Sequence, residues 1–380
     1  MRKCKLSECV KEINDRTIEN NQYEVLTSSK SGIFSQEEYF DKQVASKDNT
    51  GYKIIKNGQF TYRSMSDSGT FTINRLEDKE IGIVSPAYPV FEAINIDAEF
   101  LKYYFKSELF NKAIINLSQG STRTALKFKD LIDIEIYLPE IEEQKRIVKI
   151  LKNNDQIIEK YDELIKEKEQ FIKSQFVGMF GDLSSNSKEY EVVKLSDIAK
   201  YWNGLTYSPT NISENGTIVL RSSNIKNNKL DFKDIVKVNC DIKDKNVVKE
   251  NDILMCSRNG SANLVGKVAM IESFTEPMCF GAFMMIIRSK YFKYLFYYFQ
   301  NDAFRKNISL ETTTQINQIT ANMLDKIRIP LPSDDEIETY GKIVELIDKQ
   351  KFNYINKIKL LNEIINIFLG GKKIWTKKYQ

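Results

Sequence analysis

The sequence predicts an α+β chain made by tandem duplication, with two mixed α/β domains joined by two long helices that pair with each other. Two heptad stretches predict the helices, and a shared order of motifs around them predicts the duplication. Between Pro139 and Phe180, Ile150, Ile157, Leu164 and Phe171 recur every seven residues, with Ile147, Leu151, Ile158, Ile165 and Ile172 beside them. An apolar stripe of that period in a charged stretch is one face of a helix. At about 1.5 Å per residue it runs to roughly 60 Å, too long to stand without a partner. Pro332 to Lys372 supplies the partner, with Ile347, Tyr354, Leu361 and Phe368 at the same interval. A heptad stripe most often means packing inside one molecule. Asn154 and Lys168 interrupt this one, which fits a pair within one chain better than a long parallel homodimer.

Each helix follows the same signpost, IEIYLP (Ile134 to Pro139) before the first and IRIPLP (Ile327 to Pro332) before the second. VKLSDIA (Val193 to Ala199) echoes KLSECV (Lys5 to Val10). A repeat this long is a duplicated domain, since solenoid units run to about 20–50 residues. The expected organisation is a globular unit over 1–138, a helix over 139–181, a second unit over 182–331 and a second helix over 332–380.

In chain order, Tyr52 to Tyr62 (YKIIKNGQFTY) reads as strand, turn at Asn57-Gly58 and strand. Glu80 to Phe91 reads as a buried strand bent at its prolines. Asp97 is placed to cap a helix with Phe100, Leu101, Tyr104, Phe105 and Leu109 inward. The loop QGSTR (Gln119 to Arg123) then precedes the first long helix. The polar GDLSSNSK (Gly181 to Lys188) marks the boundary between copies. In the second unit NDILMCSRNG (Asn251 to Gly260) stands where KNGQFTYRS stood, FGAFMMIIR (Phe280 to Arg288) where SPAYPVFEA stood, and TTTQ (Thr312 to Gln315) where QGSTR lay, without its glycine and arginine.

With 380 residues, 42% of them hydrophobic and 28% charged, the chain has enough apolar content for ordinary cores. No apolar run reaches membrane-spanning length and no signal peptide is visible, so no membrane partner and a cytoplasmic location are expected. Five cysteines without CxxC spacing read as buried thiols rather than disulfides or metal ligands. A net charge of +4 is no polycation, so any nucleic-acid binding has to use local patches. The absence of histidine excludes Ser-His-Asp and Cys-His catalysis and histidine-based metal sites.

Two motifs resemble catalytic ones and fall short. SPAY (Ser85 to Tyr88) is similar to the (N/D/S)PP(Y/F) motif of amino-methyltransferases, but Ala87 replaces the second proline and no FxGxG loop lies upstream. GSANLVGKV (Gly260 to Val268) has five residues between its glycines where a P-loop has four, and Val268 where the magnesium-binding hydroxyl belongs. No acidic grouping suggests a divalent metal. Neither a catalytic residue nor a metal or cofactor in this chain is expected.

What remains suits nucleic acid. Gln119, Gly120, Ser121, Thr122 and Arg123 offer amides, hydroxyls and a guanidinium for a phosphate, with Lys127 behind them. Arg221, Ser222, Ser223 and Asn224, then Lys226, and Ser257, Arg258 and Asn259 put arginine and asparagine in loops, the side chains that pair with guanine and adenine edges. Arg63 and Ser64 hold the corresponding place in the first unit, and Thr313 and Gln315 replace the QGSTR groups in the second. Each loop taken singly is more often merely solvated; the recurrence of polar loops in both units carries the reading. The competing reading is a protein-interaction adaptor whose helices are only a spacer.

The residues GIVSPAYPVF (Gly82 to Phe91), GSTRTALKFKDL (Gly120 to Leu131), LPEIEEQKRIVKIL (Leu138 to Leu151) and its degenerate copy LPSDDEIETYGKIVELI (Leu331 to Ile347) resemble the specificity subunits of type I restriction-modification systems. The likeness covers essentially the whole chain, although Gln144 has no glutamine counterpart in the second copy. The resemblance implies two target-recognition domains joined by two antiparallel coiled-coil helices. Each domain would read one half of a bipartite site in double-stranded DNA, with the helices setting the spacer. Two methyltransferase subunits and restriction or motor subunits would be the partners, and S-adenosylmethionine, ATP and Mg would sit on them.

Overall fold

The computed structural model describes residues 2–39, 48–66, 70–117, 124–310 and 317–369. Two helices dominate the element order, Ile141–Phe180 of 40 residues and Asp334–Leu369 of 36. Two compact units divide the chain, one from the described residues up to Glu163 together with those from Asn353 onward, the other Leu164–Phe352. Each unit therefore holds a stretch of both helices.

In the first unit Arg2–Lys5 pairs antiparallel with Glu135–Leu138, the strand that leads into the first long helix. A one-turn helix, Leu6–Glu8, follows, and the Leu6 amide donates to Ile134 O at 2.9 Å. An antiparallel sheet comes next, in the order Val10–Ile13, Val90–Ala93, Phe60–Thr61, Asn74–Arg75. Against it pack the helices Ala98–Lys106 and Glu108–Leu117, through a ring cluster of Phe60, Phe91, Phe105 and Phe110. Asp97 caps the first of these helices as its type predicts, its carboxylate accepting from Phe100 N at 2.9 Å. The helix stops at Ser107, whose extended backbone starts a new one, so Leu109 belongs to the next helix.

The hairpin expected over Tyr52 to Tyr62 is corrected. Its turn is present, with Gly58 at φ +85° where a side chain would be strained, but the flanking strands are not partners. Lys53–Lys56 pairs with Ile81–Val84, whereas Phe60–Thr61 joins Val90–Ala93. The turn hands the chain from one sheet to another, and a small second core of Leu26, Ile55, Leu76, Val84 and Val90 fills the space there.

The second unit repeats the plan down to single hydrogen bonds. Glu191–Lys194 pairs with Arg328–Leu331, and the Leu195 amide of the next one-turn helix donates to Ile327 O at 3.0 Å. Its sheet runs Lys200–Asn203, Met284–Arg288, Ile253–Cys256, Val268–Met270, backed by the helices Phe292–Tyr298 and Asp302–Leu310. The registers refine the expected correspondence by one residue. Phe60 faces Phe91, as Ile253 faces Ile287, so Ala87 and not Tyr88 is the counterpart of Phe283. Beside it lies a sheet of Val236–Val238, Ile212–Leu220 and Met278–Phe280, whose parallel pair Val219–Cys279 stands where Val25 bridges Ile83 in the first unit. The P-loop look-alike is a short 3-10 turn, Ala262–Leu264, followed by the strand Val268–Met270.

Inside each unit the two long helices run antiparallel. Ile147, Val148 and Leu151 share the first unit's core with Ile365, Phe368 and Leu369, and Tyr161 stacks on Tyr354 at 5.3 Å. In the second unit Ile172, Phe176 and Phe180 share a core with Tyr340, Val344 and Ile347. On the second helix Ile347 is buried and Tyr354, Leu361 and Phe368 are half-buried. On the first helix the expected row is corrected. Ile150, Ile157 and Phe171 are 39%, 40% and 48% exposed and Leu164 is half-buried, whereas in the adjacent row Leu151 and Ile172 are buried and Ile158 and Ile165 half-buried. Isoleucines occupy both rows at the same period, so the period alone leaves a tie. The globular cores break it, because Leu151 and Ile172 are where each core reaches the helix.

Gln144 of the LPxxEQ segment is buried, and its amide joins two elements. Its Oε1 accepts from Asp97 N at 2.8 Å and its Nε2 donates to Pro139 O at 2.8 Å, which fixes the start of the long helix against the start of Ala98–Lys106. In the second copy the equivalent Ile337 is buried in the core instead. All five cysteines are free. Burial, with Cys4 beside it, pushes the Cys9 thiol up to about 12, and burial does the same to Cys279. No helix among the described residues is long and apolar enough to cross a membrane.

Leu151→Ala should lower the unfolding free energy by about 2–5 kcal/mol, as large-to-small changes in filled cores do. Ile150→Ala, one row over, should cost no more than about 1 kcal/mol. Urea denaturation of both variants checks this, and equal losses would return the seam to the outer row.

Candidate nucleic-acid interface

In both units the surface of interest forms where the strand leaving the central sheet meets the segment that follows the polar loop. In the first unit Met65–Ser66 pairs with Thr124–Ala125, and the Leu126 amide donates to Ser64 O at 2.9 Å. The Ser64 hydroxyl donates to Ala87 O at 2.8 Å, tying this edge to the SPAY turn. Tyr62 anchors it from below, its hydroxyl reaching Leu126 O at 3.2 Å, and burial pushes that phenol above its ordinary range. Arg63 and Lys127 are exposed on this edge, Lys127 at the start of the short helix Phe128–Ile132. Gln119, Gly120, Ser121, Thr122 and Arg123 lie outside the described residues.

In the second unit the same crossing is built from Ser257 and Arg258. Ile319 N donates to Ser257 O at 2.7 Å, and Arg258 bridges Gln318 across the strands. Ser257 is 1% exposed, with its hydroxyl donating to Phe283 O at 3.0 Å and accepting from Asn203 Nδ2 at 2.9 Å. Its expected surface role is corrected: the hydroxyl builds the turn. Arg258 is exposed, its guanidinium carbon 5.5 Å from the centre of the Phe283 ring. Thr313 and Gln315 lie outside the described residues.

The structure brings together the two loops that the sequence leaves apart. Asn259 Nδ2 donates to Ser222 Oγ at 3.1 Å, which sets Arg221 to Asn224 beside Ser257 to Asn259. Within the first loop Asn224 is buried and its amide is fully engaged. Its Oδ1 accepts from Arg221 N, while its Nδ2 donates to Asp231 O and Asp234 O, each at 2.9 Å. Asn224 is thereby corrected from a base reader to the staple of its loop; Ser223 is exposed.

The neighbouring cations are matched by acids. Arg221 pairs with Asp234 at 2.9 Å and Lys226 with Asp231 at 2.6 Å. The Lys226 hydrogen bond, helped by the Lys233 amide, holds the Asp231 carboxyl below its usual range. Sequence reasoning missed Phe283 and the strand partners Asn317 and Gln318. The signal for Phe283 was an aromatic at the end of FGAF, just outside the buried strand Met284–Arg288.

The family model described as type I restriction modification DNA specificity domain matches residues 12–170 and again 187–366. The chain belongs to this family. Both copies match, so the duplication seen in the strand registers is a duplication of the DNA specificity domain. The adaptor reading is not favoured.

Among relatives, the type I restriction enzyme MjaVIII specificity subunit of Methanocaldococcus jannaschii is 25% identical over 318 residues, covering 77% of this chain and 74% of that one. The EcoKI specificity subunit of Escherichia coli K12 is 26% identical over 198 residues, covering 47% of this chain and 41% of its own. The StySPI specificity subunit of Salmonella potsdam is 29% identical over 160 residues, 40% of this chain and 33% of its own. The match thus spans less than half the length of the two enterobacterial relatives. A solved chain from work on complex assembly and conformational transition of the type I R-M system has the same fold, with a TM-score of 0.59, 15% identity and 97% and 96% of the two chains covered.

Asn224→Ala should cost about 1–3 kcal/mol, because it removes the side-chain partner of the Arg221 amide and of the Asp231 carbonyl, while Asp234 O keeps Arg221 Nη2 at 3.4 Å. Ser223→Ala beside it should stay within about 0.5 kcal/mol. Thermal or urea unfolding of the two variants compares them directly.

Proposed function

We propose that this chain is the non-catalytic subunit that gives a type I restriction-modification complex its sequence preference, each unit reading one half of a bipartite site in double-stranded DNA. The observation that carries this is the repeated crossing, Leu126 on Ser64 in one copy and Ile319 on Ser257 in the other, at the edge where both copies gather their loop cations. A chain that reads DNA in two places needs one such surface per copy, and phosphate contacts from Arg63 and Lys127 would set register while base contacts specify.

The chemistry belongs to partners in this reading. Among the described residues no three His, Cys, Asp or Glu side chains gather to hold a metal ion. Methyltransferase subunits would bring S-adenosylmethionine, and restriction or motor subunits ATP and Mg. The outward rows of the long helices, with Ile150, Ile157, Phe352, Ile355 and Leu360 exposed, give such subunits apolar surface to cover.

The test is co-expression with the modification subunits and mapping of methylated adenines across the host genome. One bipartite sequence with a fixed gap is expected, and unmodified DNA would end this reading. A second variant probes the gap. Inserting seven residues at matched points of both long helices preserves the seam and lengthens each by about 10 Å. With bases rising about 3.4 Å along each strand, the gap should widen by about three base pairs, and an unchanged gap would show that the helices do not set it.

A further inference from the structure

We propose that Arg258, clamped over the Phe283 ring, reads a guanine of the half-site belonging to the second unit, with Phe283 as the residue that positions it. The proposal rests on the specificity-subunit reading and adds the base, the reading group and its support.

Three observations carry it. The first is charge that is left over. Five other cations of this unit are paired: Arg221 with Asp234, Lys226 with Asp231, Lys229 with Glu169, Lys237 with Glu276 and Arg288 with Asp252. Among the described residues Arg258 has no carboxylate within ion-pair reach, although it is exposed on the same surface. What it meets is the Phe283 ring, which is itself 60% exposed. A cation held over a ring is attracted to the ring's charge distribution and uses none of its N–H donors. The guanidinium fork therefore stays available, and its geometry matches O6 and N7 of guanine in the major groove.

The second observation is rigidity. The amides of Ser257 and Arg258 donate to Phe283 O at 3.0 and 3.1 Å, the Ser257 hydroxyl reaches the same oxygen, and Asn203 holds Ala282 O at 3.2 Å. The backbones under the arginine and the ring are thus tied to each other. Holding a long side chain in place before binding reduces the entropy lost on contact.

The third is the comparison between copies. Met65 bridges Ala125 as Arg258 bridges Gln318, and Ser64 reaches Ala87 O as Ser257 reaches Phe283 O. The first unit therefore has Met65 and Ala87 where the second has Arg258 and Phe283. Arginine and ring are present together or absent together, as expected if they act as one device. The same position in the first unit has no group to read a guanine, so the two half-sites should differ there.

The test uses the full chain in its complex with the modification subunits, and duplexes carrying the mapped sequence with one guanine at a time replaced by 7-deazaguanine, which lacks the N7 acceptor. The wild-type complex should bind less tightly, by roughly tenfold or more, for one such replacement in one half-site. Arg258→Ala should weaken binding to the natural duplex by roughly 10- to 100-fold and remove the response to that replacement. Arg258→Lys, which keeps the charge and loses the rigid fork, should bind more weakly than the wild type and show a smaller response. Phe283→Leu should weaken both affinity and response, and Phe283→Tyr should restore them.

An Arg258→Ala complex that responds to every replacement as the wild type does would overturn the proposal. So would a loss of affinity that is equal on unrelated duplexes, the mark of a phosphate contact. Wild-type behaviour of Phe283→Leu would overturn the positioning role. A wild-type complex that modifies no bipartite sequence overturns the specificity-subunit reading itself, and is distinguished by appearing before any substitution is made.

Discussion

The antiparallel seam between the two long helices is the constraint on which the rest depends, because it is not separate from the globular cores. Leu151 is buried in the first unit's core beside Phe368 and Leu369, and Ile172 in the second unit's core beside Tyr340 and Ile347. Helices of this length are not stable through propensity alone; an amphipathic face against a partner supplies most of their stability. Here the partner face is shared with aromatic clusters. Phe176, Phe180, Tyr294 and Tyr340 contact one another ring to ring in the second unit. The helices and the units are therefore one packing problem solved twice. Polar residues are admitted to the seam at Asn154 and Lys351, the latter paired with Asp348 at 2.9 Å and Glu169 at 3.7 Å.

Much of this was legible because it is periodic or repeated. Heptads, twin LP signposts and the KLS echo located the helices and the duplication, and Asp97 announced its own cap. What the sequence could not decide were matters of a single residue. Two adjacent isoleucine rows fit the same heptad, and the buried one was chosen by contact with Leu369 and Tyr340 far along the chain. The strands around Asn57-Gly58 look like a hairpin, yet each finds a better partner elsewhere.

The loops were the least legible part, for a physical reason. A serine, an asparagine or an arginine in a polar stretch serves equally as scaffold or as contact, and composition does not distinguish the two. Asn224 and Ser257 turned inward because nearby amides and carbonyls needed partners, and buried polar groups are satisfied before surface ones. Arg258 is left outward over the Phe283 ring. The loop sequences thus named the right neighbourhood but not the division of labour within it, which follows from the Ser222–Asn259 bond and the Phe283 ring.

The first unit's core has a consequence for how the protein comes into being. Its heart is laid down early, yet Ile365, Phe368 and Leu369, which complete it, leave the ribosome more than two hundred residues after Leu151. Until then the nascent first half exposes the apolar flank of Ile147, Val148 and Leu151 and has to be shielded or wait. A chain broken off within the second half would therefore carry a defective first half as well, so that translation to the second long helix acts as a check on both.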